Sequence, residues 1–402
     1  MQFIRSAGGS IALVLLIAFC WQFYTYVPLG SLGYDESIYR FYVQTLEQNG
    51  VEGIRAIIHA WPTDEKLSKG PLPFRYFYIL LGSWTDKLLG GNTSVNLANM
   101  SLVFNIGTIL ISLLLFRRWF GATVGLLAAI LMVFSPLATD LSHRALQDTC
   151  TAFLIISSIF FYDRYWVGGK YHDLLLFSAA LLAGLMTKES MLFLYPPFLL
   201  AACYYAQSIG WRSRIPLLLP LVLAPSLSFT FICWLSGDLQ TCLTTYQAYF
   251  SMQHKIPYAL KFQAGPWFRY LVDFMLLSPT SLVLAIIGIA SLSKNFDGTK
   301  RKYIAHIYLL SGLLVFSLLP LMNVRLVLFL DVFIRLFAVL GAITLCQQIP
   351  FGRYTSACIG LLMSLIIASD IIQFHTIFEI SKVYDPVTEE LIEGNGLVRE
   401  ID

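Results

Sequence analysis

Charge is what this 402-residue chain has least of: Asp, Glu, Lys and Arg together make 13% of it, against 57% hydrophobic residues. Soluble globular chains carry about 25% charged residues, so a water-exposed globular surface is excluded over most of the length. The fingerprints of soluble nucleotide and hydrolase chemistry are missing too. The sequence has no Walker loop, no GxGxxG after a strand, no HExxH and no GxSxG, and so offers no visible home for those reactions. Seven cysteines lie scattered, mostly inside apolar runs, with no CxxC and no metal-ligand spacing. Such cysteines pack as small hydrophobes and do not report a redox compartment. No internal repeat at a fixed period is visible, which withdraws support from a transporter built on inverted repeats. The net charge of +3 is accounted for by a few short loops, so it implies no nucleic-acid partner.

What remains is apolar sequence in membrane-length blocks. A spanning helix needs roughly 20 apolar residues, and about eleven such blocks fit the chain. They are Ser10–Val27, Val95–Phe116, Ala122–Ala138, Asp148–Phe161, Leu174–Thr187, Met191–Ala206, Ile215–Leu235, Phe274–Ser291, Ile304–Met322, Leu326–Cys346 and Thr355–Ile372. The fold class is an all-α polytopic membrane protein, with residues 1–372 as its membrane domain and 373–402 as a short tail. Arg5 precedes the first block and no small-x-small cleavage site follows it, which reads as a retained signal anchor.

With the N-terminus in the cytoplasm, alternate short loops hold Arg117, Arg118, Arg164, Lys170, Arg212, Arg214, Lys294, Lys300, Arg301, Lys302 and Arg353 against only Asp163, Asp173 and Asp297. That bias is the positive-inside signature. The opposite loops, residues 28–94, 139–147, 188–190 and 236–273, are longer or more polar and place any active site on the non-cytoplasmic face. In the first of them, Asp35–Leu46 presents Ile38, Phe41, Tyr42 and Thr45 at helical spacing, and Pro71–Leu89 carries an aromatic face. Both read as interfacial helices, the alternative for the second being an ordinary span. The acidic stretch from Tyr384 to Asp402 reads as a solvated tail or small cap without a chemical role.

Ionisable residues near membrane depth are costly unless paired or hydrated, so each is a candidate. Asp35 and Glu36 follow the first span; they either cap and charge a helix start or offer a general base for an acceptor hydroxyl. Lys69, in a Gly-Pro turn, either anchors a helix to headgroups or meets a lipid phosphate. Arg144 and Asp148 are four apart and either pair with each other or serve separate site roles, Arg144 as a cation for the donor phosphate and Asp148 orienting another group, with His143 beside them. Lys188 and Glu189 in a short turn either pair with their surroundings or line the same outer pocket. In the fourth outer loop, His254, Trp267 and Arg269 suit a sugar or phosphate site, or an aromatic belt. Arg325 at the outer mouth is a phosphate candidate, while Asp331 and Arg335 most simply neutralise one another.

The order Tyr34-Asp35-Glu36, Lys69-Gly70-Pro71-Leu72, Ser142-His143-Arg144 with Asp148, and Thr187-Lys188-Glu189 resembles GT-C fold glycosyltransferases. The nearest branch holds protein O-mannosyltransferases and bacterial aminoarabinose transferases, which use polyprenyl-phosphate-linked sugars. The resemblance implies inverting sugar transfer to an acceptor hydroxyl on a lipid, glycan or protein at the outer face of a cell membrane, or of the endoplasmic reticulum in a eukaryote. It further implies Asp35 as the catalytic carboxylate, Lys69 on the donor phosphate and Asp148 in support. Ser68 departs from a Glu common in relatives, and the large soluble C-terminal domain of some relatives is missing, so the acceptor contacts stay open. No cofactor is required by this reading; a divalent metal could bridge Asp35 or Glu36 to phosphate, but no ligand cluster calls for it. The rival reading is a lipid-linked-sugar flippase, for which charges would line a path through the bilayer midplane.

Overall fold

The computed structural model describes residues 7–26, 32–209, 215–253, 256–295, 302–348 and 354–397. Among these the regular structure is helical throughout. Helix α1 (Ala7–Tyr24) is followed by α2 (Tyr34–Ala60), a 3₁₀ turn at Leu67–Lys69 and α3 (Tyr76–Leu89). Next come α4 (Thr93–Phe120), α5 (Ala122–Val133), α6 (Pro136–Ser142), α7 (Asp148–Gly168) and α8 (Tyr171–Leu185). A 3₁₀ segment, Glu189–Leu194, leads into α9 (Tyr195–Ile209), and α10 (Leu218–Ser236) is followed by three shorter helices, α11 (Leu239–Gln253), α12 (Pro257–Phe262) and α13 (Arg269–Leu277). The last part holds α14 (Pro279–Asn295), α15 (Lys302–His306), α16 (Gly312–Ser317), α17 (Leu328–Gln348), α18 (Thr355–Phe374) and α19 (Thr388–Gly394).

All of the expected apolar blocks contain helix, but fewer are full spans. Among the described residues, length and apolar composition single out 5 helices able to cross a membrane, or up to 6 if α5 and α6, bent by 59°, form one span. Three further apolar helices are shorter. Several of the expected blocks are interrupted by breaks that hydropathy does not register, while α7 is an unbroken 21-residue helix that carries Asp148, Asp163 and Arg164. Ser135 caps α6, accepting from Ala138 N at 3.2 Å with Pro136 at the first helical position, and this restarts the helix at a new angle. Pro279 likewise opens α14 and splits the expected Phe274–Ser291. A π-turn at Ile307–Ser311 divides α15 from α16.

In α2 the chain turns at Gly50, whose φ of +62° suits glycine. Its buried face is Ile38, Tyr39, Tyr42, Val43 and Leu46, while Phe41 is exposed. The expected Ile38–Phe41–Tyr42–Thr45 face is therefore rotated. Polar anchoring of the two tyrosines accounts for it: Tyr42 donates to the Pro71 carbonyl at 2.9 Å, and Arg75 donates to the Tyr39 hydroxyl at 2.7 Å.

Packing through the apolar core includes a close backbone approach, where Gly288 of α14 meets Phe337 and Gly341 of α17, and Gly341 meets Leu284. Small residues let membrane helices approach this closely. Close by, the buried Arg335 donates to Ser278 (2.7 Å), Ser281 (2.6 Å), Asp331 (3.1 Å) and Asp370. Asp331 thus pairs with Arg335 as the spacing suggests, and Asp370 is a second carboxylate on the same guanidinium. At the opposite end of the bundle from the site described below, Asp163 accepts from Arg118 and Trp119 at 2.7 and 2.9 Å, and Arg164 pairs with Asp173 at 2.9 Å.

Residues 381–397, beyond α18, are folded, which favours the small cap over the solvated tail. Ser381 donates to the Gly394 carbonyl at 2.8 Å, Thr388 donates to Asp273 at 2.6 Å, and Arg269 pairs with Glu389 at 2.9 Å. Val387 and Leu391 are buried, so this segment is a strap docked on α13.

Candidate active site

The helix-start signals of α2 set the first two carboxylates. Gly33 is the extended N-cap, and Asp35 and Glu36 occupy the first turn. Glu36 accepts from the Gly33 amide at 2.6 Å, the returning half of a capping box; Gly33, without a side chain, cannot supply the other half. The cap is therefore not Asp35. The other Glu36 oxygen lies 3.5 Å from Arg144 Nε and accepts from Ala145 N at 3.3 Å. Glu36 is thus both helix start and buried anchor. Asp35 points elsewhere: it keeps 33% exposure and lies 3.3 Å from Arg325 Nη2.

Arg144 does not pair with Asp148. The segment 143–147 is not helical, so the four-residue spacing places no shared face there. Arg144 instead reaches Asp140 at 3.3 Å, the Glu36 carboxylate and the Tyr384 carbonyl, and its guanidinium lies 3.7 Å from the Tyr384 ring centroid. Asp148, first residue of α7, accepts from Lys188 Nζ at 2.6 Å. Burial holds the Lys188 ammonium below its usual range despite that carboxylate. Glu189 faces away from Lys188 onto Arg75, in a fork of 2.6 and 3.2 Å, and accepts from Tyr249 at 2.9 Å. Burial would raise its carboxyl, but the Arg75 guanidinium wins and holds it at about 2.

Arg325 enters from a 3₁₀ turn, Val324–Val327, whose start is capped by the Asn323 side chain at 3.0 Å. Its Nε lies 3.4 Å from Asp385. Asp385 also accepts from Asn323 Nδ2 at 2.9 Å and from the Tyr258 hydroxyl at 2.7 Å. Burial pushes its carboxyl up, yet Arg325, Tyr258 and Asn323 together hold it below the ordinary range.

The other predicted residues stand apart from this group. Lys69 is 47% exposed and paired with Glu65 at 2.8 Å. Arg269 is buried and turned to the carbonyls of Phe262 and Ala264 and to Glu389. Trp267 is 68% exposed, edge-on to Phe268. His143 contacts Gln22 at 2.6 Å, and burial lowers it to about 4. His254 lies outside the described residues. Arg75, Tyr249, Asp140, Tyr258, Tyr384 and Asp385 escape sequence reasoning. For Tyr384 and Asp385 the available signal is an aromatic–acid pair before Pro386, beyond the last apolar block.

Asp35 differs from the other carboxylates of the group: it is part-exposed and beside a cation, while Glu36, Asp148 and Asp385 are engaged in more buried contacts. A carboxylate and a guanidinium side by side can take a proton from one group and stabilise a leaving anion on another. Among the described residues no three His, Cys, Asp or Glu side chains gather as a metal-ligand set.

Residues 73–234, which contain Arg75, Arg144, Asp148, Lys188 and Glu189, match the profile of the dolichyl-phosphate-mannose-protein mannosyltransferase family. No curated protein matches the chain by sequence. Among solved structures, the Archaeoglobus fulgidus oligosaccharyltransferase tethered to an acceptor peptide aligns with a TM-score of 0.59 at 13% identity, over 92% of this chain and 54% of that one. ArnT from Cupriavidus metallidurans bound to undecaprenyl phosphate aligns with a TM-score of 0.56 at 12% identity, over 96% of this chain and 85% of that one. The A. fulgidus oligosaccharyltransferase AglB with an inhibitory peptide and dolichol-phosphate aligns at 0.58 and 13% identity, over 93% and 57%. The chain thus spans little more than half the length of the archaeal enzyme. Its fold is that of the GT-C membrane enzymes, and over residues 73–234 its sequence matches the dolichyl-phosphate-mannose-protein mannosyltransferase family.

Proposed function

We propose that this protein is a membrane glycosyltransferase that moves a sugar from a polyprenyl-phosphate donor to an acceptor hydroxyl, with inversion, at the non-cytoplasmic face. The observation that carries the reading is the part-exposed Asp35 beside Arg325, where the first turn of a helix ahead of the matched family segment meets a 3₁₀ turn far beyond it. In the reaction the acceptor oxygen attacks the anomeric carbon, Asp35 takes the hydroxyl proton, and the bond from that carbon to the phosphate oxygen breaks. The polyprenyl phosphate departs with the bonding pair. A phosphate monoester has a second pKa near about 6, so it leaves as an anion and needs cations rather than an acid. Arg325 is the cation in place; Lys69, on its loop, is proposed to meet the donor phosphate as it enters, and Asp148 supports the site by holding Lys188. The match to a mannosyltransferase profile and the undecaprenyl and dolichyl phosphates named with the structural neighbours support the donor class. The excess of Lys and Arg in the alternate short loops of the sequence supports the sidedness.

Asp35→Asn should abolish transfer from a polyprenyl-phosphate sugar while leaving the melting temperature and donor binding close to those of the unaltered protein. Wild-type turnover in that variant would sink the assignment. Mass spectrometry of lipids that co-purify with the protein should identify the donor directly.

A further inference from the structure

Arg325 is gripped from two sides. Asp35 lies 3.3 Å from its Nη2 and Asp385, from the C-terminal strap, lies 3.4 Å from its Nε. Asp385 is itself fastened, one oxygen to Asn323 at 2.9 Å and the other to the Tyr258 hydroxyl at 2.7 Å. The strap that carries it is also secured. Tyr384 lies against Gly33, where an added Cβ would overlap its hydroxyl, and against the Arg144 guanidinium. Thr388 and Glu389 tie the following helix to Asp273 and Arg269.

So many anchors make Asp385 a fixed part of the site rather than a stand-in that an arriving phosphate displaces. Its effect is geometric. A guanidinium is planar, so contacts at Nε and Nη2 set the direction of Nη1. Among the described residues nothing accepts from Nη1, and the side chain keeps 15% exposure.

We infer that Asp385 is a positioning residue for sugar transfer: it fixes the Arg325 guanidinium so that Nη1 receives a phosphate oxygen of the donor beside Asp35. The inference rests on the polyprenyl-phosphate reading above. Without Asp385, Arg325 keeps Asp35 as its direct ion-pair partner and closes onto it. The cation meant for the phosphate and the carboxylate meant for the acceptor proton are then disabled together.

The test uses the full chain, unaltered and as Asp385→Asn, Arg325→Ala and the double variant, with undecaprenyl phosphate as the binding probe. Asp385→Asn should weaken binding about tenfold, the scale of one charge-assisted hydrogen bond. In the Arg325→Ala background the same change should have no further effect, because coupled residues are not additive. In turnover, Asp385→Asn should lower kcat more than it raises KM for the donor, with partial rescue in Asp385→Glu. Unchanged affinity in a folded Asp385→Asn protein overturns the inference, as does full additivity with Arg325→Ala. If Asp385→Asn fails to fold, Tyr258→Phe frees one oxygen of Asp385 and should weaken binding about threefold; unchanged affinity there overturns it equally. A coupled binding cycle in a protein that transfers no sugar leaves the positioning role standing and retires the glycosyltransferase reading. An unaltered protein that does not bind the lipid phosphate overturns both.

Discussion

Glu36 and Tyr384 are 348 positions apart in the sequence and 3.3 Å apart at the site, with Gly33 as the floor under the tyrosine ring. Gly33 has ordinary extended backbone angles, so its need for glycine is one of space. Gly33→Ala is expected to expel Tyr384, and hydrogen exchange over residues 381–397 should rise while the rest of the bundle stays protected. Glu36→Ala removes one of the two carboxylates on Arg144 and the acceptor of the Gly33 and Ala145 amides. Leaving such groups buried and unsatisfied costs about 1–3 kcal/mol or more, so a lower melting temperature is the expected reading. At this scale the sequence singled out Asp35, Asp148, Lys188, Glu189 and Arg325 as the residues to watch, since charge is rare and costly here. It left their partners open, and of the two readings of Arg144 and Asp148 the structure excludes the pair: partners four apart form on helices, and these two sit across a non-helical link.

Helices α14 and α17 make the tightest element contact, and it is glycine that permits it. A Cβ at Gly288 would meet the Phe337 carbonyl and the Gly341 amide, which are backbone atoms that cannot rotate away. Gly288→Val should therefore destabilise by at least about 3 kcal/mol, read as a drop in the melting temperature of detergent-solubilised protein. A like change at Gly360, whose added Cβ meets nothing within 4 Å, should be tolerated. Every expected apolar block contains helix, but the helices α11, α12 and α19 lie in stretches read as loop or tail, because they are too polar or too short to stand out in hydropathy. Helix breaks were not legible, because a Ser-Pro restart, a π-turn or a switch to 3₁₀ leaves hydropathy unchanged. The face of α2 also escaped, since Tyr39 counts as neither clearly apolar nor polar until Arg75 is found on its hydroxyl.

Over the whole molecule, the C-terminal strap joins the two ends of the sequence, and its attachment carries a pH signature. Burial raises the Asp273 carboxyl from 3.8 to about 7, so between those values the folded protein holds a proton that the unfolded chain has released. Stability from this group is complete below the unfolded value and declines as pH rises through about 7. His143, lowered from 6.5 to about 4, acts in the opposite sense, and its contribution is lost as pH falls through that window. The difference in melting temperature between the unaltered protein and Asp273→Asn, followed from pH 5 to 8, should isolate the Asp273 part, with the unaltered protein losing ground as pH rises. The sequence by itself determined the membrane class, the helical blocks, the charge bias of the loops and the conspicuous carboxylate at Asp35, because each follows from composition and local spacing. Only the tertiary structure decided which charges neutralise which, that the acidic tail returns to the site, and that Asp385 shares Arg325 with Asp35. Such pairings depend on where distant segments meet, and burial then selects the partners by the cost of leaving any charge alone.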